Sequence, residues 1–262
     1  VSNIKTEQYN FLYHTVGELL LQFKNILRNS GNINIRLFSF LLLFFCLLFF
    51  QKASSQSRYQ IGVLPTINMN KELENDWSLI FNTESRQLFQ NGDFDGNHNT
   101  EYEHVLTDVS LLIGKKVGLN SQIAGGYLIR FRNEEINHRA IQQFSMVRQK
   151  TGYTLALRIG ADQTFSPVQS PEFRFRYRLT AEFPFNDQTA DPKEFYFKSG
   201  IELLNKFQST DRILELRVVP VIGYTFNDWN KIEFGLDYRY DSFFSDDPVN
   251  IFWTTVNWLI SL

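Results

Sequence analysis

The chain has 262 residues, a formal net charge of −2, and is 43% hydrophobic and 21% charged. A mean hydropathy of −0.25 excludes a polytopic helical membrane protein. The near-neutral charge gives no electrostatic reason to expect a nucleic-acid partner. A single cysteine, Cys46, forms neither an internal disulfide nor a cysteine-based metal site. The one excess is aromatic, with 26 Phe, 11 Tyr and 4 Trp.

The first distinct element in chain order is the apolar run Leu37–Phe50, LFSFLLLFFCLLFF. Its 14 residues fall short of the ~20 that a spanning helix needs. Arg28 and Arg36 precede it, and Ala53, Ser54 and Ser55 follow it. A positive flank, a short apolar core and a small-residue exit mark a secretory signal peptide. Residues 1–56 are therefore expected to be a leader, and 57–262 the mature domain. The stretch before Arg28 is long for a signal, and no Met precedes Met69. The true start is therefore expected downstream of Val1. Cleavage near Gln56 removes Cys46 and leaves 21 basic and 26 acidic residues.

From Arg58 onward the hydrophobic period is two. Ile232, Phe234, Leu236, Tyr238 and Tyr240 alternate with Glu233, Gly235, Asp237, Arg239 and Asp241. Phe173, Phe175, Tyr177, Leu179, Ala181, Phe183 and Phe185 alternate with Arg174, Arg176, Arg178, Thr180, Glu182 and Pro184. A period of two gives each strand one greasy and one charged face. The segments are long, whereas ordinary strands run to about 5–6 residues. A tilted transmembrane strand needs roughly 9–11. Aromatics gather at segment ends, at Trp77, Phe89, Phe173, Phe185, Phe226, Phe252 and Trp258, as interfacial girdles require.

This pattern predicts an all-β, antiparallel transmembrane barrel of outer-membrane type. Eleven candidate strands lie near 59–70, 77–89, 103–116, 121–132, 138–149, 153–165, 172–185, 194–205, 213–226, 231–241 and 251–262. Single-chain bacterial barrels have even strand numbers, so ten or twelve are expected. The first segment is the weakest, because Pro65 donates no ladder hydrogen bond. Short links at Lys116–Asn120, Lys150–Gly152 and Asn227–Lys231 are expected at one end. Longer loops at Gln90–Glu101 and Ser242–Asn250 are expected at the other. The final face of Phe252, Val256, Trp258, Ile260 and Leu262 suits an apolar closing strand.

Five stretches carry a family resemblance: Asn75–Gln87 (NDWSLIFNTESRQ), Gly126–Arg132 (GYLIRFR), His138–Gln143 (HRAIQQ), Phe173–Phe185 (FRFRYRLTAEFPF) and Gly223–Arg239 (GYTFNDWNKIEFGLDYR). Taken in order, they resemble the uncharacterised bacterial outer-membrane barrel family catalogued as domain of unknown function 2490. The resemblance covers about Tyr59 to Leu262 and implies an outer-membrane barrel with no assigned activity. The chain departs from the expected acidic-Gln-Arg triplet after Arg158, reading Ala161-Asp162-Gln163-Thr164 instead. That departure argues against a lumen role for this strand.

Inward-facing charges form the main candidate site. The basic ones are Arg86, Arg130, Arg158, Arg174, Arg176, Arg178, Lys198, Arg217 and Arg239. The acidic ones are Glu84, Asp108, Asp162, Glu182, Glu202, Glu215, Glu233 and Asp237. A small barrel's interior is filled by side chains, and buried charges persist when paired. The bland reading is therefore a structural network. The sharper reading is a narrow anion pore at the Arg174, Arg176 and Arg178 ladder.

A rival class is a lipid-modifying outer-membrane enzyme, which needs a nucleophile beside a base. His104 with Ser110, or His138 with Ser145, would supply the pair, though no local motif supports either. The loop Asp93–Asn99 resembles a calcium loop but places His98 and His104 where glycine and glutamate belong. No catalytic, cofactor-binding or metal-binding set is therefore assigned, and no cofactor is implied. The expectation is a non-enzymatic barrel, a structural component or narrow solute channel. Its expected partners are outer-membrane lipid, the barrel-assembly machinery during insertion, and other outer-membrane or periplasmic proteins.

Overall fold

The computed structural model describes residues 58–132, 135–186, 190–243 and 247–262. The expected leader lies outside the described residues. Eleven strands follow one another: β1 (Arg58–Glu72), β2 (Trp77–Asp93), β3 (His98–Gly118), β4 (Ser121–Arg132), β5 (Glu135–Lys150) and β6 (Tyr153–Phe165). Then come β7 (Glu172–Pro184), β8 (Phe195–Gln208), β9 (Asp211–Asn227), β10 (Asn230–Asp241) and β11 (Val249–Ser261). Each pairs antiparallel with its chain neighbours, and β1 closes the ring against β11 in parallel.

The expected count of ten or twelve is therefore wrong, and all eleven segments are strands. The even-number expectation presumes that first and last strands close antiparallel. An odd number forces them to run the same way. The suspicion against the first segment also fails. Val63 pairs with Gln87 and Thr66 with Glu84, but Leu64 and Pro65 between them have no β2 partner. The missing N–H of Pro65 falls in that gap, while Pro65 still aligns with Val256 across the seam. Pro220 of β9 repeats the device. It aligns with Ser199 of β8 and sits in a gap of the β10 ladder.

The alternation places charge inside and grease outside. Arg174 is buried while Phe175 is 46% exposed, and Glu233 is 2% exposed while Phe234 is 62%. A water-soluble sheet would show the opposite order. Five of the seven expected girdle aromatics lie exposed on the outer wall beside Phe252: Trp77, Phe89, Phe173, Phe226 and Trp258. Phe185 is exposed too, just past the end of β7.

Arg58 and Ser261 sit at opposite ends of the barrel, because an odd number of crossings separates them. All three expected short links lie at the Ser261 end, and both expected long loops at the Arg58 end. The asymmetry is incomplete, since the 185–194 connection is at the Ser261 end and the 209–210 turn at the other. In the β1–β2 turn, Asn75 and Asp76 both take positive φ, 56° and 62°. Asn and Asp tolerate this conformation best after glycine.

The seam is packed from within. Trp253 of β11 is almost fully buried against Leu64 and Leu88. A Cβ on Gly62 would strike the Trp253 ring and the Gln87 carbonyl. Gly62 therefore makes room for the side chain that fills the joint. Gly62→Val is expected to destabilise the barrel by about 1–3 kcal/mol through overpacking. Gly200→Val, whose Cβ meets only ordinary contacts, should leave the denaturant midpoint nearly unchanged.

Candidate functional site

The interior charges are held by cross-strand register. Arg130 meets Asp108 opposite it and donates two hydrogen bonds at 2.7 and 2.6 Å. Arg239 forks onto Asp237 two residues away, at 2.9 and 2.8 Å. Arg86 donates twice to one oxygen of Glu84, Oε1, at 2.8 and 2.6 Å. Side chains two apart share a strand face, so strand geometry alone brings these last two pairs together.

Three carboxylates act as hubs. Asp162, 4% exposed, faces Arg139 at 3.4 Å, Arg176 at 3.3 Å and Arg174. Glu202, 1% exposed, faces Arg178 at 2.6 Å, Arg217 at 3.2 Å and Arg176 at 3.9 Å. Glu233 accepts from Tyr196 at 2.8 Å, from Asn257 at 3.3 Å and from Lys198. Glu215 bridges Arg217 and Lys206, and Lys206 also reaches Asp241 at 3.0 Å. The doubt over β6 is thereby overturned. Asp162 serves the lumen without the expected triplet, because its inward register position suffices.

Arg139 and Lys206 were not anticipated. Arg139 shares its face with Asn137 and Ile141, a mixed set, so its inward direction shows only once β5 is paired with β6. Lys206 lies one residue beyond the expected end of its segment. Extending the alternation of β8 would have found it.

Arg158 behaves differently from every other interior arginine. It faces inward, directly opposite Arg178, and is solvent-exposed. No carboxylate among the described residues lies within ion-pair distance of it. Like charges directly opposite one another are destabilising. Arg174, expected to share the cationic ladder, is instead engaged by Asp162 and by Glu172 at 3.5 Å. The accessible cationic set is therefore Arg158, Arg176 and Arg178, halfway along β6 and β7. Glu182, also inward, lies further toward the Ser261 end, opposite Lys198. It has no ion pair among the described residues, since Lys198 turns to Glu233.

The interior is unevenly filled. On the β8–β11 and β1–β4 side, Tyr196, Leu204, Trp253, Leu64, Leu88 and Leu106 are almost fully buried. A Cβ on Gly223 would fall on the Tyr196 ring, and one on Gly126 would strike Leu112. Beside the three arginines the inward positions are small: Ala156, Gly160, Thr180 and Gly200. Cβ atoms at Gly160 and Gly200 would meet nothing closer than 3.6 and 3.4 Å. The small inward positions and the incompletely neutralised arginines coincide.

Residues 61–250 match the family model described as Protein of unknown function (DUF2490). The chain belongs to this family. No curated protein and no solved structure matches it. The family match spans nine complete strands and most of β1, and it includes every interior charge of the network described here.

Neither candidate histidine pair of the rival enzyme reading forms. Ser110 points inward and donates to the Asn82 carbonyl at 3.4 Å. His104 lies on the outer wall, because the register shift between Arg86/Gln87 and Leu106/His104 bulges out Val105 and reverses the alternation. His138 and Ser145 are an odd number of residues apart and so face opposite ways. His138 stacks on Tyr127 outside, with ring centroids 5.8 Å apart.

The hubs and the exposed arginine should respond oppositely to neutralisation. Glu202→Ala removes the carboxylate from Arg178, Arg176 and Arg217, and is expected to cost about 3–5 kcal/mol. Arg158→Gln breaks no ion pair and should stay within about 0.5 kcal/mol of the native protein. Denaturant unfolding of the two variants checks this.

Proposed function

We propose that the chain is an outer-membrane β-barrel whose half-open lumen binds and passes small anions at Arg158, Arg176 and Arg178. The membrane reading is supported by the inverted wall, apolar and aromatic outside, charged inside. Such a surface suits lipid, where a closed barrel leaves no unpaired backbone edge. Export would use the apolar leader at 37–50.

Arg158 carries the anion reading. An accessible guanidinium facing another guanidinium, with no carboxylate of its own, is an unneutralised site inside an otherwise paired interior. Arginine presents a planar fork suited to oxyanions. Rings of Arg or Lys are the known basis of anion selectivity in pores. Asp162 and Glu202 hold Arg176 and Arg178 in place, so the site is prearranged.

Reversal potentials in planar bilayers across a salt gradient test the proposal. The expected result is a small conductance that favours anions. Arg158→Glu combined with Arg178→Glu should abolish or reverse that preference. A folded barrel without conductance would remove the channel and leave a structural role. Recovery from the periplasm without detergent would remove the membrane itself.

The parallel seam makes a separate prediction about topology. Epitopes inserted at 242–248 and appended after Leu262 should be accessible from opposite sides of the membrane in intact cells. Labelling of both from one side would contradict the eleven-strand barrel.

A further inference from the structure

The outer wall is not uniformly apolar. On β2 and β3 five polar side chains form one continuous hydrogen-bonded row. Tyr102 donates to Gln87 at 2.7 Å, and Gln87 donates to Ser85 at 2.7 Å. Ser85 meets Thr107 at 3.1 Å, and Thr107 meets His104 at 2.9 Å. The bulge at Val105 is what brings His104 out to join this row. Polar groups on a lipid-facing wall are unfavourable unless satisfied, and β7 carries no such row outside.

At Ser85 the row runs into an apolar groove of about 810 Å³. The groove crosses the seam between Pro65, Ile67, Val256, Ile232, Trp258 and Phe226. Its volume lies within the roughly 300–1,000 Å³ of small-molecule sites. The depression lies where small residues, Pro65, Thr83, Ser85 and Val256, stand beside the large rings of Trp258 and Phe226. The groove descends toward the Ser261 end, and the polar row climbs toward the Arg58 end. An apolar trough continuous with neutral donors and acceptors has the form of a site for an amphiphile.

We infer that this face binds an acyl-ester lipid, with one chain in the seam groove and the ester carbonyl accepting a hydrogen bond from the Ser85 or the Thr107 hydroxyl, whichever is not donating to the other. The row holds no Lys, Arg, Asp or Glu, so it recognises the ester rather than a phosphate. His104 stands beside the Thr107 hydroxyl as a base would. Among the described residues, however, none holds its other ring nitrogen, so the row offers hydrogen bonding rather than a positioned base. The inference rests on the membrane reading above but not on anion passage.

The test is native mass spectrometry of the detergent-refolded barrel with dipalmitoyl phosphatidylethanolamine, compared with its dihexadecyl ether analogue. The wild type is expected to retain one ester lipid about tenfold more strongly than the ether, the equivalent of about one neutral hydrogen bond. The double variant Ser85→Ala with Thr107→Val should lower the ester to the level of the ether. Val256→Trp, which fills the groove with an apolar side chain tolerated on an outer wall, should abolish retention of both. Thr83→Trp serves as a second filler, and heat-modifiable gel migration shows that each variant has folded. Equal retention of ester and ether, or retention that survives both fillers, would overturn the proposal. So would a dimer peak in place of a lipid adduct, because the groove would then belong to a second copy. A barrel that requires detergent yet retains no lipid rejects this site alone, whereas detergent-free solubility rejects the membrane reading.

Discussion

A sheet closed into a ring confines every inward side chain to one bounded space, and the rest of this structure follows from that confinement. Charges that alternate inward along β2–β10 have no bulk water to dissolve in. They must neutralise one another across the lumen or leave room for something that will. Most take the first course, through Asp162, Glu202, Glu215 and Glu233. Arg158 does not. The cost of desolvating a charge explains both outcomes, since burial is tolerated only with a partner and Arg158 stands where the lumen is open.

The same confinement explains the glycines. At Gly62, Gly126 and Gly223 a side chain would collide with Trp253, Leu112 and Tyr196, so absence of a Cβ admits a bulky neighbour. At Gly160 and Gly200 a Cβ would meet only ordinary contacts. One residue type thus admits a bulky neighbour on one side of the barrel and keeps the inward surface small beside the arginines on the other.

Fold class was legible because a period of two survives in every strand, and that period depends on local chain geometry alone. Strand number was legible as a count of segments but not as a closed ring. Parity is a property of how β1 meets β11, which no local window contains. Every charge assigned to the lumen from alternation points there, whereas Arg139 and Lys206 were missed through a mixed face and a segment end. The two histidine pairs fail for different reasons. The odd spacing of His138 and Ser145 is visible in the sequence, whereas a single bulged residue, Val105, reverses the alternation between His104 and Ser110, and nothing in the local composition announces it. The exposed Arg158 looks like its neighbours in the sequence, since its lack of a counter-charge depends on the side chains that other strands turn inward.

The parallel seam has a consequence for assembly. Val249 must find Arg58 across almost the whole described chain, so this ladder is the most distant contact the fold contains. Contacts of such sequence separation form slowly, because loop-closure entropy is lost before they return anything. Until then the antiparallel meander is a ten-stranded or eleven-stranded ribbon with two unprotected edges, the condition that invites strand addition by other chains. A chain built this way profits from a catalyst that holds the nascent edge. Trp253, fitting only over Gly62, then acts as a register check, since a seam slipped by one residue would turn its ring out of the core.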